Sequence, residues 1–355
     1  MKRLALLLGS LLVVTAAASA KEVVPAPVVV EEAPVQIVEK EVIVYRDKEE
    51  GFRPNGFVDL QYRYYGQTED KDLKWNGGDN YSRTQLEGKI QMTEKQALDF
   101  RVRDYNSLDH EDREVSSTAT RLRYYYNHGN LGETNVGTSS FVKYEKSLDN
   151  ALDQSLEYQY RFDLTSYFFD NDFIKTTNFL VGPSYKYAWA KSNDDAYSNS
   201  LGLYMIWDNQ LPYGFSTEVE LDGLHYNMYG DGAKVADGAN KKEDNDITAN
   251  VNLYLYHDAN LYTNGAYSLD WHFEGGYDSY NYSNRDKFIK GTEYDGEKYS
   301  AYAQPSVTLS YQATEFVTLY GTVGAEYRNW LVENQAEASH WRWQPYAIVG
   351  VKTVF

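Results

Sequence analysis

The sequence predicts an all-β protein, an up-and-down antiparallel β-barrel that crosses a membrane with about 14 strands. Three observations support this fold class. Successive segments alternate apolar and polar residues with a period of two, which is the pattern of a strand with two unlike faces. The connections between these segments alternate between short and long. An export signal begins the chain, and no later apolar run approaches the ~20 residues of a membrane-spanning helix.

The first 20 residues form the predicted export signal. Lys2 and Arg3 supply positive charge, residues 4–17 are mostly apolar, and Ala18-Ser19-Ala20 is a small-residue cleavage site. We therefore expect residues 1–20 to be a signal peptide that is cleaved after Ala20. An N-terminal membrane helix fits less well, because the apolar run is shorter than a membrane span.

Residues 21–52 differ in composition from everything that follows. They are rich in Pro, Val and Glu, which predicts a partly extended periplasmic tether. An apolar stripe between residues 35 and 45 would also fit a short self-associating helix. The stripe covers only about two heptads, which is too few to favour a coiled coil. The tether is therefore the preferred interpretation.

The transmembrane barrel is predicted to occupy residues 53–355. Its 14 segments begin near residues 57, 81, 97, 118, 133, 155, 177, 198, 215, 246, 266, 299, 317 and 341. Short connections follow the even-numbered segments and longer polar connections follow most odd-numbered ones, so both chain ends are expected on the periplasmic side. Sixteen strands would result if Thr165 to Thr176 or one of the long loops formed a further hairpin.

The last segment, Trp341 to Phe355, ends on an aromatic residue at the end of an alternating strand. It looks like the closing strand of a bacterial outer-membrane barrel, so we expect Phe355 to act as a signal for the barrel assembly machinery. A soluble β-sandwich would instead bury the apolar faces of the same segments. The export signal, the terminal aromatic residue, and Tyr and Trp at the ends of the apolar faces favour the membrane.

The overall composition excludes several functional classes. The chain has no Cys, which rules out disulfides, thiol catalysis and thiolate metal sites. Its net charge of -18 argues against binding to nucleic acid. Tyr is abundant, at 34 of 355 residues, as suits a barrel with aromatic girdles and a wet interior. No cofactor is expected.

Charge is distributed unevenly over the polar faces. If these faces point inward, they form a basic wall and an acidic wall. The basic wall consists of Arg63, Arg83, Arg101, Arg103, Arg121, Arg123, Arg342 and Lys352. The acidic wall consists of Glu218, Glu220, Asp222, Asp270, Glu274 and Asp278. The two walls lie nearly opposite in a ring of 14 strands, which predicts a transverse electric field across a water-filled interior. The alternative is that these are ordinary solvated charges, partly neutralised by neighbours, as Asp99 by Arg101 and Glu157 by Arg161.

Several clusters of residues resemble the major outer-membrane porins of fusobacteria, over nearly the whole chain. They are Lys21-Glu-Val-Val-Pro-Ala-Pro27, Ile43-Val-Tyr-Arg-Asp47, Arg53-Pro-Asn-Gly56, Glu274-Gly-Gly-Tyr-Asp278, Tyr327-Arg-Asn329 and Trp341-Arg-Trp-Gln-Pro345. The resemblance implies a general-diffusion channel for small hydrophilic solutes and ions in the outer membrane of a Gram-negative cell. It also implies a homotrimer, and exposed loops that meet other cells or antibodies.

Two other functions were weighed against the channel. An enzyme would need a nucleophile or a metal beside a base, and only His272, between Asp270 and Glu274, lies among charged residues on one strand face. Ordinary solvation explains that pattern better, so no enzyme is expected. A surface adhesin that displays its loops is the second alternative, with residues 109–112 and 241–245 as charged loop candidates.

Overall fold

The computed structural model describes residues 51–69, 80–108, 117–147, 152–191, 193–236, 242–285, 288–289, 292–293, 297–329 and 341–355. The predicted signal peptide lies outside the described residues, as does the predicted tether except for Gly51 and Phe52. The charged loop residues 109–112 and residue 241 also lie outside them. Within the described ranges, no helix combines the length and hydropathy that crossing a membrane would require.

Fourteen strands form one closed antiparallel barrel, in which each strand pairs with its neighbour in sequence and β14 pairs with β1. The strands are β1 Asn55–Tyr65, β2 Tyr81–Gln91, β3 Gln96–Ser107, β4 Ser117–Asn130, β5 Gly137–Lys146, β6 Gln154–Asp163, β7 Lys175–Ala190, β8 Asn193–Gln210, β9 Phe215–Tyr229, β10 Asn245–Asn264, β11 Tyr267–Ser283, β12 Glu297–Gln312, β13 Val317–Asn329 and β14 Trp341–Val354. The predicted fold, strand number and strand order are confirmed. Two long loops carry small hairpins, in which residues 235–236 pair with 242–243 and residues 288–289 pair with 292–293, but these strands do not join the barrel. The alternative of a 16-stranded barrel is therefore wrong.

The short connections lie at the end of the barrel where β1 begins and β14 ends. Two of them are held by the same kind of hydrogen bond, from a backbone N–H to a threonine hydroxyl. The Thr93 hydroxyl accepts a hydrogen bond from the Gln96 N–H at 3.1 Å, and the Thr314 hydroxyl accepts one from the Val317 N–H, also at 3.1 Å. Such side-chain bonds stand in for backbone bonds and fix the turn. We call this the terminal end of the barrel, and the opposite one the loop end.

Two predicted connections differ from the structure. The link between β10 and β11 was expected to span Asp258 to Gly265, but both strands continue until only residues 265 and 266 connect them. Gly265 adopts a φ of 58° there, which glycine reaches without strain. The link from Thr165 to Thr176 contains a 3-10 turn, Thr165–Tyr167, rather than a further barrel hairpin.

The seam between β14 and β1 closes the barrel. Backbone bonds join Gly56 and Phe355 in both directions, at 3.0 and 3.1 Å. Along β14 burial alternates strictly from Trp341 to Val349, because every second side chain points inward. Ile348 is 8% exposed, whereas the neighbouring Val349 is 61% exposed. The barrel thus has an apolar outer face and a separate inner face.

Candidate functional site

The inner face of the barrel is identified by contacts between strands that are not neighbours. The Arg161 guanidinium of β6 lies 4.5 Å from the ring centroid of Tyr204 on β8. The Lys143 amine of β5 lies 3.9 Å from a carboxylate oxygen of Asp222 on β9. Side chains on the outer face could not meet across intervening strands. The face that carries these four residues therefore lines the lumen.

Six residues of the basic wall occupy successive rows on β1 to β4. Arg63 is directly opposite Arg83 in the β1–β2 register, and Arg101 is directly opposite Arg121 in the β3–β4 register. Arg103 is opposite Gln85, and its Nε donates a hydrogen bond to the side-chain oxygen of Gln85 at 2.6 Å. All of them share the parity of the lumen-facing residues. The strand positions therefore gather these arginines on one arc of the lumen.

The remaining members of the basic wall are on β14. Arg342 is 2% exposed and lies opposite Arg328 of β13. Lys352 lies opposite Asp59 of β1, with its amine 4.7 Å from the centroid of the Phe57 ring. Both side chains share the inward parity of β14. They extend the arginine arc past the seam.

Acids also lie within the arc of the basic wall. Asp99 accepts two bonds from Arg123, the shorter at 2.7 Å, and its other oxygen lies 3.7 Å from Arg121. The suggested pairing of Asp99 with Arg101 along one strand is therefore wrong. Adjacent strands place their opposing side chains closer together than residues two apart on one strand, which explains the partner that is found.

The acidic wall lies on β9 and β11. Glu218 accepts a bond from the Tyr256 hydroxyl at 3.3 Å, and Glu220 accepts one from the Asn252 amide at 3.2 Å. Glu274 accepts a hydrogen bond from the Tyr302 hydroxyl on β12. Neutral donors thus hold these carboxylates, in contrast to the ion pairs of Asp99.

Asp270 and Asp278 are the other two acidic-wall residues on β11. Asp270 accepts bonds from Asn260 at 2.7 Å and from Ser268 at 2.8 Å. Asp278 falls at a register shift between residues 277 and 279 of β11, and its side chain lies outside the described residues. The inward position of Asp278 therefore stays a prediction.

The two walls have a simple relation in the ring of strands. In a ring of 14, β2 and β9 are seven places apart, as are β4 and β11. Strands half a ring apart face each other across the lumen. The strand order therefore places β2 to β4 opposite β9 to β11. That their charges form two facing walls stays a prediction.

A buried polar network between the walls was not anticipated from the sequence. Glu157 and Gln159 of β6 are among the least exposed side chains, at 2% and 1%. The Lys143 amine lies 2.9 Å from Glu157 and also approaches Asp222. Arg161 donates to Gln159 at 2.7 Å, and the Gln159 amide donates to Glu157. The suggested pairing of Arg161 with Glu157 is therefore bridged by Gln159 and is not a direct ion pair. This network projects into the lumen and narrows it.

The loop end of the lumen opens into a cavity of about 800 Å³. Most of the residues that line it are polar, among them Glu145, Lys186 and Asn227. A 3-10 turn, Asp231–Ala233, contributes Ala233 to the rim. On that rim the hydrogen bond from Lys234 lowers the pKa of Asp231 and reciprocally raises the pKa of Lys234. The cavity is large enough to hold a small hydrated solute.

His272 has a partner that the sequence pattern did not indicate. Its Nδ1 lies 2.6 Å from a carboxylate oxygen of Asp258 on β10, and its Nε2 lies 3.8 Å from Glu274. Asp270 bonds instead to an amide and a hydroxyl. Over the described ranges, no group of three or more metal-ligating side chains is arranged to hold a metal ion.

Comparisons with known proteins give only distant similarities. No protein-family model matches the sequence, and no curated protein matches it. Among solved structures, a NanC porin gives a TM-score of 0.36 at 9% identity, covering 83% of this chain and 98% of that one. OmpF of Salmonella typhi in complex with daunomycin gives 0.36 at 13%, covering 86% and 98%. An anion-selective porin from Comamonas acidovorans gives 0.34 at 11%, covering 85% and 99%. These values assign neither a family nor a function.

Proposed function

We propose that this protein is a general-diffusion porin of a bacterial outer membrane, a water-filled channel for small hydrophilic solutes and ions. The observation that carries the proposal is the inversion of polarity between its two faces. Large apolar side chains such as Val323, at 65%, and Leu309, at 54%, are exposed on the outside, while charged residues fill the inside. Lipid against the outer face and water within satisfy both faces.

The lumen charges support passage of solutes rather than a closed structural core. Burying many arginines and carboxylates away from water would carry a large desolvation cost. A polar cavity at the loop end and charged residues along the lumen instead suit hydrated solutes that make weak contacts with the wall. A basic wall facing an acidic wall would also orient dipolar solutes during passage.

The first test is conductance. Full-length mature protein, refolded in detergent and added to a planar lipid bilayer, is expected to produce stepwise current increases in KCl. Folding of the same sample is checked by its heat-modifiable migration on gels. A folded sample that inserts into vesicles but gives no current steps would refute the channel and leave a structural or adhesive role.

The second test concerns the walls. Arg101→Ser/Arg103→Ser should shift the reversal potential in a KCl gradient toward cation selectivity, because two lumen cations are lost. Glu218→Gln/Glu220→Gln should shift it the opposite way. Lys175→Ser is a control, since Lys175 is 58% exposed beside the terminal-end turn. Unchanged selectivity in both double variants would contradict the two-wall proposal.

Assembly and surface roles are part of the same proposal. Pairing of Phe355 with Gly56 at the seam is consistent with recognition of the last strand by the barrel assembly machinery. A homotrimer and contacts of the loops with other cells also remain proposals. A loop-deleted variant that still conducts but no longer adheres would separate display from transport.

A further inference from the structure

Three arginines of the basic wall form a cluster with no ion-pair partner among the described residues. Arg63 and Arg83 are directly opposite each other on β1 and β2, and Arg103 lies opposite Gln85 in the adjoining row. Like charges placed directly across neighbouring strands destabilise a sheet. The arrangement is therefore costly unless something else compensates for it.

The neighbouring arginines show what compensation looks like. Arg121 and Arg123 both approach Asp99, and Arg101 lies opposite Glu87 in the register. By contrast, Arg63, Arg83 and Arg103 have no carboxylate oxygen within 4.0 Å in the part of the chain that the structure describes. The positive charge of this cluster is thus locally unbalanced.

Tyrosine rings hold the two opposing guanidiniums in place. The Arg63 guanidinium lies 5.1 Å from the centroid of Tyr346 and 5.6 Å from that of Tyr65. The Arg83 guanidinium lies 5.8 Å from Tyr65 and 5.9 Å from Tyr105. Arg63 also donates to the Tyr65 hydroxyl at 3.1 Å. Both side chains are therefore fixed before any solute arrives.

The cluster leaves hydrogen-bond donors unused. Arg83 is 8% exposed, and the Nε atoms of Arg63 and Arg83 have no acceptor among the described residues. A buried donor without a partner costs about 1–3 kcal/mol, and more when it is charged. The Nε atoms are buried, so an oxyanion placed between the guanidiniums would accept hydrogen bonds from their terminal N–H groups and supply the missing negative charge.

The tyrosines form a belt above the arginines. Tyr65 and Tyr81 stack with centroids 4.3 Å apart, and Tyr346 and Tyr105 continue the belt on either side, each at 6.3 Å. Such rings offer an apolar surface with hydroxyls at its edge. Tyr65 and Tyr346 are each only 6% exposed, so the half-buried Tyr81 and Tyr105 supply the surface, which suits the carbon skeleton of a polar organic molecule more than a bare inorganic ion.

We propose that the cluster of Arg63, Arg83 and Arg103 with its tyrosine belt is a binding site, inside the lumen, for small organic oxyanions such as sugar phosphates and sugar acids. The paired guanidiniums bind the phosphate or carboxylate as planar forks, and the belt packs against the sugar. The site rests on the proposed channel function and adds to it a class of preferred solute. Retention must be moderate, because a solute that binds too tightly would block transport.

The test uses glucose 6-phosphate and glucuronate as probes, with neutral glucose and inorganic phosphate for comparison. In wild-type channels we expect the two organic anions to reduce the KCl current at concentrations at least tenfold below those needed with glucose or inorganic phosphate. Arg63→Gln/Arg83→Gln should abolish this preference. Equal block by glucose and glucose 6-phosphate in the wild type, or the same block in the double variant, would overturn the site.

Two further variants distinguish a specific binding site from the general positive potential of the basic wall. Arg121→Gln/Arg123→Gln removes two charges from the same wall and should keep the preference within about threefold. Arg63→Lys/Arg83→Lys keeps the charge but loses the planar forks, and should weaken the preference by about tenfold. Wild-type preference in the lysine variant would show that charge alone is responsible, and would contradict the proposal.

Calorimetric titration of glucose 6-phosphate into the folded protein in detergent provides a readout that needs no conduction. Heat of binding in the wild type and its loss in Arg63→Gln/Arg83→Gln would support the site even if the bilayer experiment showed no current. Current steps without anion preference and without binding heat would refute the site and leave the channel intact.

Discussion

Replacing Lys143 with Met should strongly destabilise the barrel. The lysine is 13% exposed, and its amine lies 2.9 Å from Glu157, which is 2% exposed. The substitution keeps much of the side-chain volume but removes the only cation within 4.0 Å of Glu157 in the described part of the chain. Glu157 is then left with the Gln159 amide as its neutral donor.

Removing one partner of a buried ion pair costs about 3–5 kcal/mol, because the other charge stays buried without compensation. We expect about 3 kcal/mol here, since Asp222, the second partner of Lys143, is 34% exposed and is not left as a buried charge. The free energy of unfolding would be measured by reversible urea unfolding in detergent micelles, followed by tryptophan fluorescence.

Two controls accompany this measurement. Lys143→Met/Glu157→Gln removes both charges and should recover at least half of the loss, because no unpaired charge is left. Lys175→Met breaks an exposed pair with Asp170 at 3.9 Å and should cost under about 1 kcal/mol. A Lys143→Met variant as stable as the wild type, or a double variant no better than the single one, would refute the reasoning.

Three further predictions concern other parts of the barrel. Val323→Arg should reduce insertion by about 2–4 kcal/mol, because Val323 is 65% exposed on the outer face, whereas Val323→Met should insert normally in a vesicle-folding assay. Gly276→Ala should prevent correct folding, because a Cβ there would lie 2.0 Å from the Leu253 carbonyl oxygen. Gly265→Ala has open space around it and should lower the unfolding free energy, measured by urea unfolding, by only about 1–3 kcal/mol of backbone strain. Tyr320→Phe should lower the unfolding free energy by about 1–3 kcal/mol in the same assay, because its hydroxyl is 2.8 Å from the buried Asp59 carboxylate; an unchanged value would contradict that role.

The sequence allowed the strands and their faces to be predicted because both depend on local patterns. A period of two assigns alternate residues to opposite faces, and β14 shows the alternation without interruption from Trp341 to Val349. Strand number followed from the alternation of short and long connections. The length of β10 was underestimated, because its last residues, near Asn264, are polar and carry no alternating signal.

Bulges limit how far parity can place a side chain. Register shifts between residues 203 and 204 of β8 and between residues 277 and 279 of β11 change which residues point inward. At the first shift Gly223, with a φ of 125°, is an extra residue on β9. The inward-facing residue after Asp222 is therefore His225 and not residue 224. Asp278 falls at the second shift. Its face could not be deduced from the alternation of its neighbours.

Contacts across the lumen depend on the shape of the closed barrel, which no local pattern encodes. Lys143 and Asp222 meet although three strands separate β5 from β9. Their contact requires long side chains and a narrow lumen at that level, so it couples the width of the channel to one ion pair. Lys143→Ala should therefore raise the single-channel conductance as well as lower stability. The same conductance in both proteins would show that the narrowest part of the lumen lies elsewhere, for example beside the fully buried Arg342.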